Sequence, residues 1–389
     1  MSFEIQIPSI LILGGGAFAR VAEVLARLHC ARPLIVTDPF LVSTGLSTRL
    51  REAITETGLE CGIFSDTVSD PTTEVVETGV RAFLEGKHDS LIGLGGGSSI
   101  DTAKAIGMLV GNGGKARDYK VPQPIPKSGP PHIAVPTTAG TGSEVTRFTV
   151  ITDSATQEKM LIAGSPLLPS AAVVDYELTV SMPARLTADT GIDSLTHAIE
   201  SYVSRKANSF SDVFALQAMK KIWQHLPNAF HHPYSREARE AMMEGSTLAG
   251  IAFSNASVAL VHGMSRPMGA FFHIPHGLSN AMLLPAVTAF SANAAAARYA
   301  DCARTMGVAS SQNANDVAVG KLIQALFERN QELGVPSPKQ YGLSEERFFE
   351  VVPTMASQAL ASGSPQNNPR VPSAPEIEQI YREVWNQGV

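Results

Sequence analysis

The sequence predicts an N-terminal α/β domain of Rossmann-like kind over residues 1–183, followed by an all-α domain over residues 184–389. Three observations carry this. A chain of 389 residues exceeds one typical hydrophobic core, so two domains are expected. The first half alternates short apolar runs with glycine-rich exits and helical stretches, which is the pattern of a parallel sheet. Beyond Met182-Pro183 the apolar period lengthens to that of helices, alanine becomes frequent and strand signals fade.

The elements follow in order. Ser9–Leu13 is a first strand, ended by Gly14-Gly15-Gly16 and a helical segment near Ala19–Leu28. Pro33–Thr37 is apolar and β-branched and ends at Asp38; Leu91–Leu94 and His132–Val135 are further strands of the buried type. In the second half, helical spacing covers Ala188–Val203, Asp212–Leu226, Ser235–Phe253, Ala294–Met306, Val317–Leu333 and Glu376–Trp385. The stretch Ser362–Pro375, rich in Pro, Ser and Asn, reads as a loop.

Composition narrows the function classes. Hydrophobic residues are 44% and charged residues 17%, an ordinary globular balance. The net charge of −6 comes without a basic run, which argues against a nucleic-acid partner. No apolar stretch is long enough to span a bilayer, and the start lacks the basic region of a signal peptide, so no membrane partner is expected. Cys30, Cys61 and Cys302 are odd in number and far apart, which fits free thiols in the cytoplasm better than a disulfide framework or a thiolate metal cluster.

Three glycine- and hydroxyl-rich loops point to a nucleotide. Gly14-x-Gly16-x-x-Ala19 has the spacing of a dinucleotide turn, and Asp38 stands about twenty residues on, where a carboxylate binds ribose hydroxyls. Such a carboxylate repels a 2′-phosphate, which favours NAD over NADP; a plain βα turn would give the same glycine spacing. Gly95-Gly96-Gly97-Ser98 opens a helix at Asp101–Leu109, where bare amides and the helix dipole suit a pyrophosphate. Ser98 and Asp101 also have the spacing of a capping pair. The third loop, Pro136 to Glu144, offers Thr137, Thr138, Thr141 and Ser143 to sugar and phosphate oxygens, or to local turn hydrogen bonds.

A metal is suggested by Asp193 and His197, four residues apart in a helical stretch and so on one face. A helix-surface hydrogen bond has the same spacing. His262, His273 and His276 form a second cluster. Imidazoles with a carboxylate and no thiolate suit Fe²⁺ or Zn²⁺, which can act as a Lewis acid on an alcohol or carbonyl oxygen.

Taken together these motifs resemble one family, the iron-containing (group III) alcohol dehydrogenases. The resemblance rests on VTD at Val36–Asp38, GGGSSIDTAK at Gly95–Lys104, PTTAGTGSEVT at Pro136–Thr146, TGIDSLTHAIESYVS at Thr190–Ser204 and VHGMSRPMGAFFHIPHGLSNAMLLP at Val261–Pro285. It implies an architecture shared with dehydroquinate synthase, an active site in a cleft between the domains, and a homodimer. It implies the ligand set Asp193, His197, His262 and His276, the selection of NAD by Asp38, and cofactor contacts from Gly96, Gly97, Ser98, Thr137, Thr138 and Lys159. The substrate class it implies is a small alcohol or aldehyde.

Two positions depart from the family. Many relatives carry a histidine four residues after the third ligand, close to the nicotinamide; here it is Arg266, which cannot shuttle protons at neutral pH. It could anchor an anionic substrate group or the cofactor, or form a structural salt bridge. Ser69-Asp70-Pro71-Thr72 stands where relatives read Asn-Pro-Thr, so ribose binding by Asp70 is less secure. His273 is either a polar group on the substrate side or an ordinary helical residue. Two other enzyme classes share much of this pattern: a hydroxyacid-oxoacid transhydrogenase, which Arg266 would suit, and a dehydroquinate synthase-like lyase, which would need several basic residues for a phosphorylated substrate.

Overall fold

The computed structural model describes residues 3–156 and 158–387, except the side chain of Asn386. The chain separates into two compact units, one over residues 6–181 and one from Met182 onward, with which residues 3–5 group.

The first unit holds β1 (Ile10–Leu13), α1 (Val21–Arg27), β2 (Pro33–Val36), α2 (Pro39–Ser43), α3 (Leu46–Thr55), β3 (Gly62–Phe64), α4 (Thr73–Glu85), β4 (Ser90–Gly95), α5 (Gly97–Asn112), β5 (His132–Pro136), β6 (Phe148–Asp153), β7 (Glu158–Ala163) and β8 (Ala171–Val174). Six strands form one parallel sheet in the order β1-β8-β5-β4-β2-β3, while β6 and β7 pair as a separate antiparallel hairpin. Every residue of β2, β4, β5 and β8 is buried, because helices cover both faces. Ile35, Ile92, Ile133 and Val173 pack with α1 and α3 through Leu25, Leu50 and Ile54. Leu34, Val36 and Leu91 pack on the opposite face with Val76, Phe83 and Ile106 of α4 and α5.

That division fixes where a ligand fits. The chain leaves β2 for one face through α3 and leaves β4 for the other through α5, and the two strands are neighbours. The carboxyl ends of β2 and β4 therefore diverge, which opens the crevice where doubly wound sheets bind ligands. Here the structure corrects an expectation. β1 lies at the sheet edge beside β8, with β8 and β5 between it and β4. The turn at Gly14 and Gly16 is thus not the loop beside Asp38, and it leads into a short 3-10 helix, Ala17–Arg20. The glycine loop next to Asp38 is the one after β4.

The second unit is helical: α6 (Ala184–Val203), α7 (Ser209–His231), α8 (Arg236–Asn255), α9 (Leu260–Phe272), α10 (His276–Ser291), α11 (Ala296–Thr305), α12 (Asn315–Glu332), α13 (Glu345–Ala361) and α14 (Ala374–Asn386). Among the described residues no single helix is long and apolar enough to cross a membrane. Three helices, α9, α10 and α13, go beyond the sequence reading. Each carries an internal proline (Pro267, Pro285, Pro353), and proline normally signals a break. The stretch Ser362–Pro375 is not wholly loop, because Ser364–Asn367 forms a 3-10 turn. This turn packs on α9, where a Cβ at Gly263 would stand 2.8 Å from the Pro365 ring. Asn367 Nδ2 ties the same turn to Ser257 Oγ and to the Val258 carbonyl just before α9.

Candidate metal centre and nucleotide loops

The helical unit brings three of the four expected ligands into one group. Asp193, His262 and His276 each offer an atom, and these atoms lie within 4.8 Å of one another. Asp193 Oδ1 is 3.4 Å from His262 Nε2 and 3.9 Å from His276 Nε2. His197, one turn along α6, places its Nε2 3.9 Å from the same oxygen and stacks its ring at 4.4 Å on His262. The His197 ring also stacks at 4.2 Å on Phe253 of α8. Asp193, His197 and His262 are buried, while His276 opens α10 and is half exposed.

Two residues of this site were missed in the sequence. Glu200, one turn beyond His197 on α6, is buried and accepts the backbone N–H of Ala259 at 2.9 Å and of Val261 at 2.6 Å. It also accepts from His262 Nδ1 at 2.6 Å. Because Nδ1 is committed to Glu200, Nε2 is the atom that His262 offers to the ligand group. Asn280, one turn beyond His276 on α10, is wholly buried. Its Nδ2 donates to Asp193 Oδ1 at 2.6 Å and lies 3.2 Å from Nε2 of both His262 and His276. Among the described residues its Oδ1 has no hydrogen-bond partner. The signal for both lay in spacing: each sits three or four residues after a histidine ligand candidate, on the same helix face.

The electrostatics of this group suit a cation. Burial opposes ionisation of Asp193, but the His197, His276 and His262 rings outweigh it and hold the carboxyl well below the usual range. Burial also opposes charge on His262, yet Glu200 and Asp193 push its pKa up to about 9. Several donor atoms converge here on a single amide nitrogen, so the site calls for positive charge. Its imidazole and carboxylate donors, with no thiolate among them, fit Fe²⁺ or Zn²⁺.

Of the remaining candidates in this unit, His273 is exposed and ends α9 in the left-handed conformation at φ 53°, outside the ligand group. Arg266 lies one turn after His262 on α9. Its Nη1 donates to Ser364 Oγ at 3.0 Å, and it forms no ion pair among the described residues.

In the first unit the loop after β4 is built for close approach. Gly95 has φ 149°, and a Cβ there would stand 2.5 Å from Ser99 Oγ; one at Gly97 would stand 2.9 Å from Thr141 Cγ2. Helix α5 begins at Gly97 with Gly96 as its N-cap and no side-chain cap. The expected Ser98–Asp101 capping pair is therefore not formed, and the first amides of α5 receive no side-chain cap. Asp101 instead sits part-buried beneath the loop. It accepts from Ser143 Oγ at 2.6 Å and from the Val150 N–H at 2.8 Å. Lys104 Nζ supports the same layer, donating to Ser143 Oγ, Thr146 and the Phe148 carbonyl, and burial lowers its pKa to about 8 against the pull of Asp101 and Glu144. Asp101 and Ser143 thus have their polar atoms engaged inside the unit.

The other nucleotide candidates lie along the same carboxyl edge. The Thr137 N–H donates to the Gly95 carbonyl at 3.0 Å, which joins the third loop to the glycine loop. Thr138 flanks Gly96. Asp38 caps α2 by accepting the Leu41 N–H on Oδ1 at 2.9 Å, which leaves Oδ2 for another donor. Asp70 and Lys159 are paired with each other at 2.8 Å, joining the turn before α4 to β7.

Comparison with known proteins follows the same division of the chain. Residues 8–176 match the family described as iron-containing alcohol dehydrogenase, and residues 187–385 match the C-terminal part of the Fe-containing alcohol dehydrogenase family. An NAD-dependent methanol dehydrogenase of Bacillus methanolicus is 41% identical over 97% of this chain and 98% of its own. A lactaldehyde reductase of Escherichia coli is 35% identical over 96% and 97%. A solved 1,3-propanediol oxidoreductase superposes with a TM-score of 0.95 at 34% identity, covering 99% of this chain and 100% of the other.

Proposed function

The chain belongs to the iron-containing alcohol dehydrogenase family and is an oxidoreductase of alcohols and their carbonyl compounds, and we propose that it works with NAD and a divalent ion held by Asp193, His197, His262 and His276. Fe²⁺ is the first choice of metal and Zn²⁺ the second. The observation that carries this reading is the buried convergence of Asp193, His262 and His276 within 4.8 Å. When bound, the ion supplies Lewis-acid polarisation of a substrate oxygen, and the nicotinamide accepts or donates the hydride.

The chain's own residues do the rest. Asp193 stays ionised, Glu200 holds the His262 ring in its tautomer, and Phe253 shields His197 from water. The amides of Gly96, Gly97 and Ser98 receive the pyrophosphate, with Gly95, Thr137, Thr138 and Thr141 shaping the loops around it. The free oxygen of Asp38 takes a ribose hydroxyl and disfavours a 2′-phosphate. Lys159 reaches the cofactor with Asp70 as its counter-ion.

A homodimer belongs to the same reading. β1 closes one edge of the sheet, and Leu11 and Leu13 on it are 41% and 39% exposed, which suits pairing with a second copy. A cytoplasmic setting fits Cys30, Cys61 and Cys302, which are all free thiols.

The test is NADH oxidation with a panel of small aldehydes, ketones and 2-oxo acids, on metal-stripped protein before and after addition of Fe²⁺ or Zn²⁺. Turnover restored by metal is the expected result. Metal binding without turnover of free NADH would favour a transhydrogenase or a lyase.

A further inference from the structure

Arg266 is a largely enclosed charge that forms no ion pair among the described residues. Only a minority of its surface reaches solvent, and desolvation lowers its pKa against the pull of Glu200. Glu200 acts on it through its charge without a direct ion pair, and its oxygens accept from the Ala259 and Val261 amides and from His262. The contact that holds the guanidinium is Nη1 donating to the buried hydroxyl of Ser364, on the 3-10 turn that Pro365 seats against Gly263. The structural salt bridge considered from the sequence is therefore not formed among the described residues. A largely enclosed guanidinium that makes one side-chain hydrogen bond, with its remaining donors not sealed in the interior, is suited to receive an anion on them.

Its position says which anion. Arg266 follows His262 by four residues on α9, so the two share a face and their Cα atoms are separated by roughly 6 Å along the axis. We propose that Arg266 is the anchor of an anionic group on the substrate, and that the enzyme acts on short hydroxy or oxo compounds bearing a carboxylate or a similar anion. This rests on the dehydrogenase reading above. A substrate whose reacting oxygen lies at the His262 Nε2 side places a group a few carbons away at the guanidinium. Ser364 is a positioning residue, fixing one arm of the fork so that the other arm faces the anion. The pyrophosphate of the cofactor offers similar chemistry, and the experiment separates the two sources.

The experiment compares succinic semialdehyde with butanal in NADH-coupled turnover by the wild type, Arg266→Gln, Arg266→Lys and Ser364→Ala. The readout is the ratio of kcat/KM for the charged over the neutral aldehyde. In Arg266→Gln the ratio falls roughly 10- to 100-fold, the range for loss of one charge-assisted hydrogen bond. Arg266→Lys keeps part of it, and Ser364→Ala lowers it less. An unchanged ratio overturns the proposal. So does an unchanged ratio with a raised KM for NADH, which would assign the guanidinium to the cofactor. A parallel binding measurement uses butyrate alone: it raises the Tm of the wild type but not of Arg266→Gln. If that difference is seen while no aldehyde consumes NADH, the anion site stands and the dehydrogenase reading falls. If butyrate shifts both proteins equally, the anion site falls.

Discussion

Glu200 accepts the Nδ1 proton of His262 at 2.6 Å while its two oxygens also receive the amides that start α9. One carboxylate therefore orients the imidazole and the helix that carries it. Glu200→Gln keeps the shape but turns an N–H toward a donor. Metal affinity should fall roughly 10- to 100-fold, as for other groups that orient a ligand histidine. Competition with a chelator, followed by metal analysis of the folded fraction, checks this. Unaltered affinity with a lowered Tm would reduce Glu200 to a helix-start residue.

Asn280 donates to Asp193 and faces the Nε2 atoms of His262 and His276. Its amide stabilises the anionic side of the ligand group when no ion is bound, and an ion takes over that task. Asn280→Ala should therefore destabilise the stripped protein by about 1–3 kcal/mol and the loaded protein by less. Thermal unfolding of both forms measures the gap. Equal losses would show that Asn280 is only a packing residue.

Asp38 caps α2, and substitution can separate that cap from the ribose contact proposed for it. Asp38→Asn retains an oxygen for the Leu41 amide but removes the charge, so the kcat/KM ratio of NADP to NAD should rise roughly five- to tenfold. Asp38→Ala also loses the cap, which costs about 1 kcal/mol of stability. A cofactor ratio unmoved in both variants would remove Asp38 from the ribose site.

His132, on β5, is buried, its Nε2 has no hydrogen-bond partner among the described residues, and burial followed by the nearby Lys104 charge lowers its pKa to about 3. Its ordinary value in an unfolded chain is 6.5. Between these limits the unfolded chain binds a proton that the folded chain refuses, so folding stability falls as pH falls from 6.5 toward 3. Denaturant titrations from pH 7 to 4 should show a slope shallower by about one proton in His132→Asn than in the wild type. Parallel curves would mean that His132 is charged when folded.

What the sequence disclosed was set by where local signals are strong. The strand at Leu91–Leu94 and its glycine exit were legible because buried strands are short apolar runs and glycines punctuate them. The position of β1 was not, because strand order depends on which helix covers which face, and no local pattern records that. The ligand candidates on α6 were visible from their spacing. Asn280 and Glu200 were hidden because their importance depends on α9 and α10 packing against α6, with Pro267 and Pro285 inside helices that proline would ordinarily end. Asp101 was misjudged for a similar reason: its spacing from Ser98 fits a cap, but the hairpin of β6 and β7 supplies Val150 as a partner from far along the chain.

The candidate ligands come from three separate helices, with Asp193 on α6, His262 on α9 and His276 on α10. An ion gripped by all three would act as a cross-link, closing the long segment that includes α7 and α8 into a covalent-like loop. The closure restricts the unfolded chain as a disulfide does, and its strength varies with metal supply and with acidity, because protons compete for the same imidazoles. Resistance of the helical unit to proteolysis should then rise and fall with loading, making metal availability a control on the lifetime of the protein as well as on its chemistry.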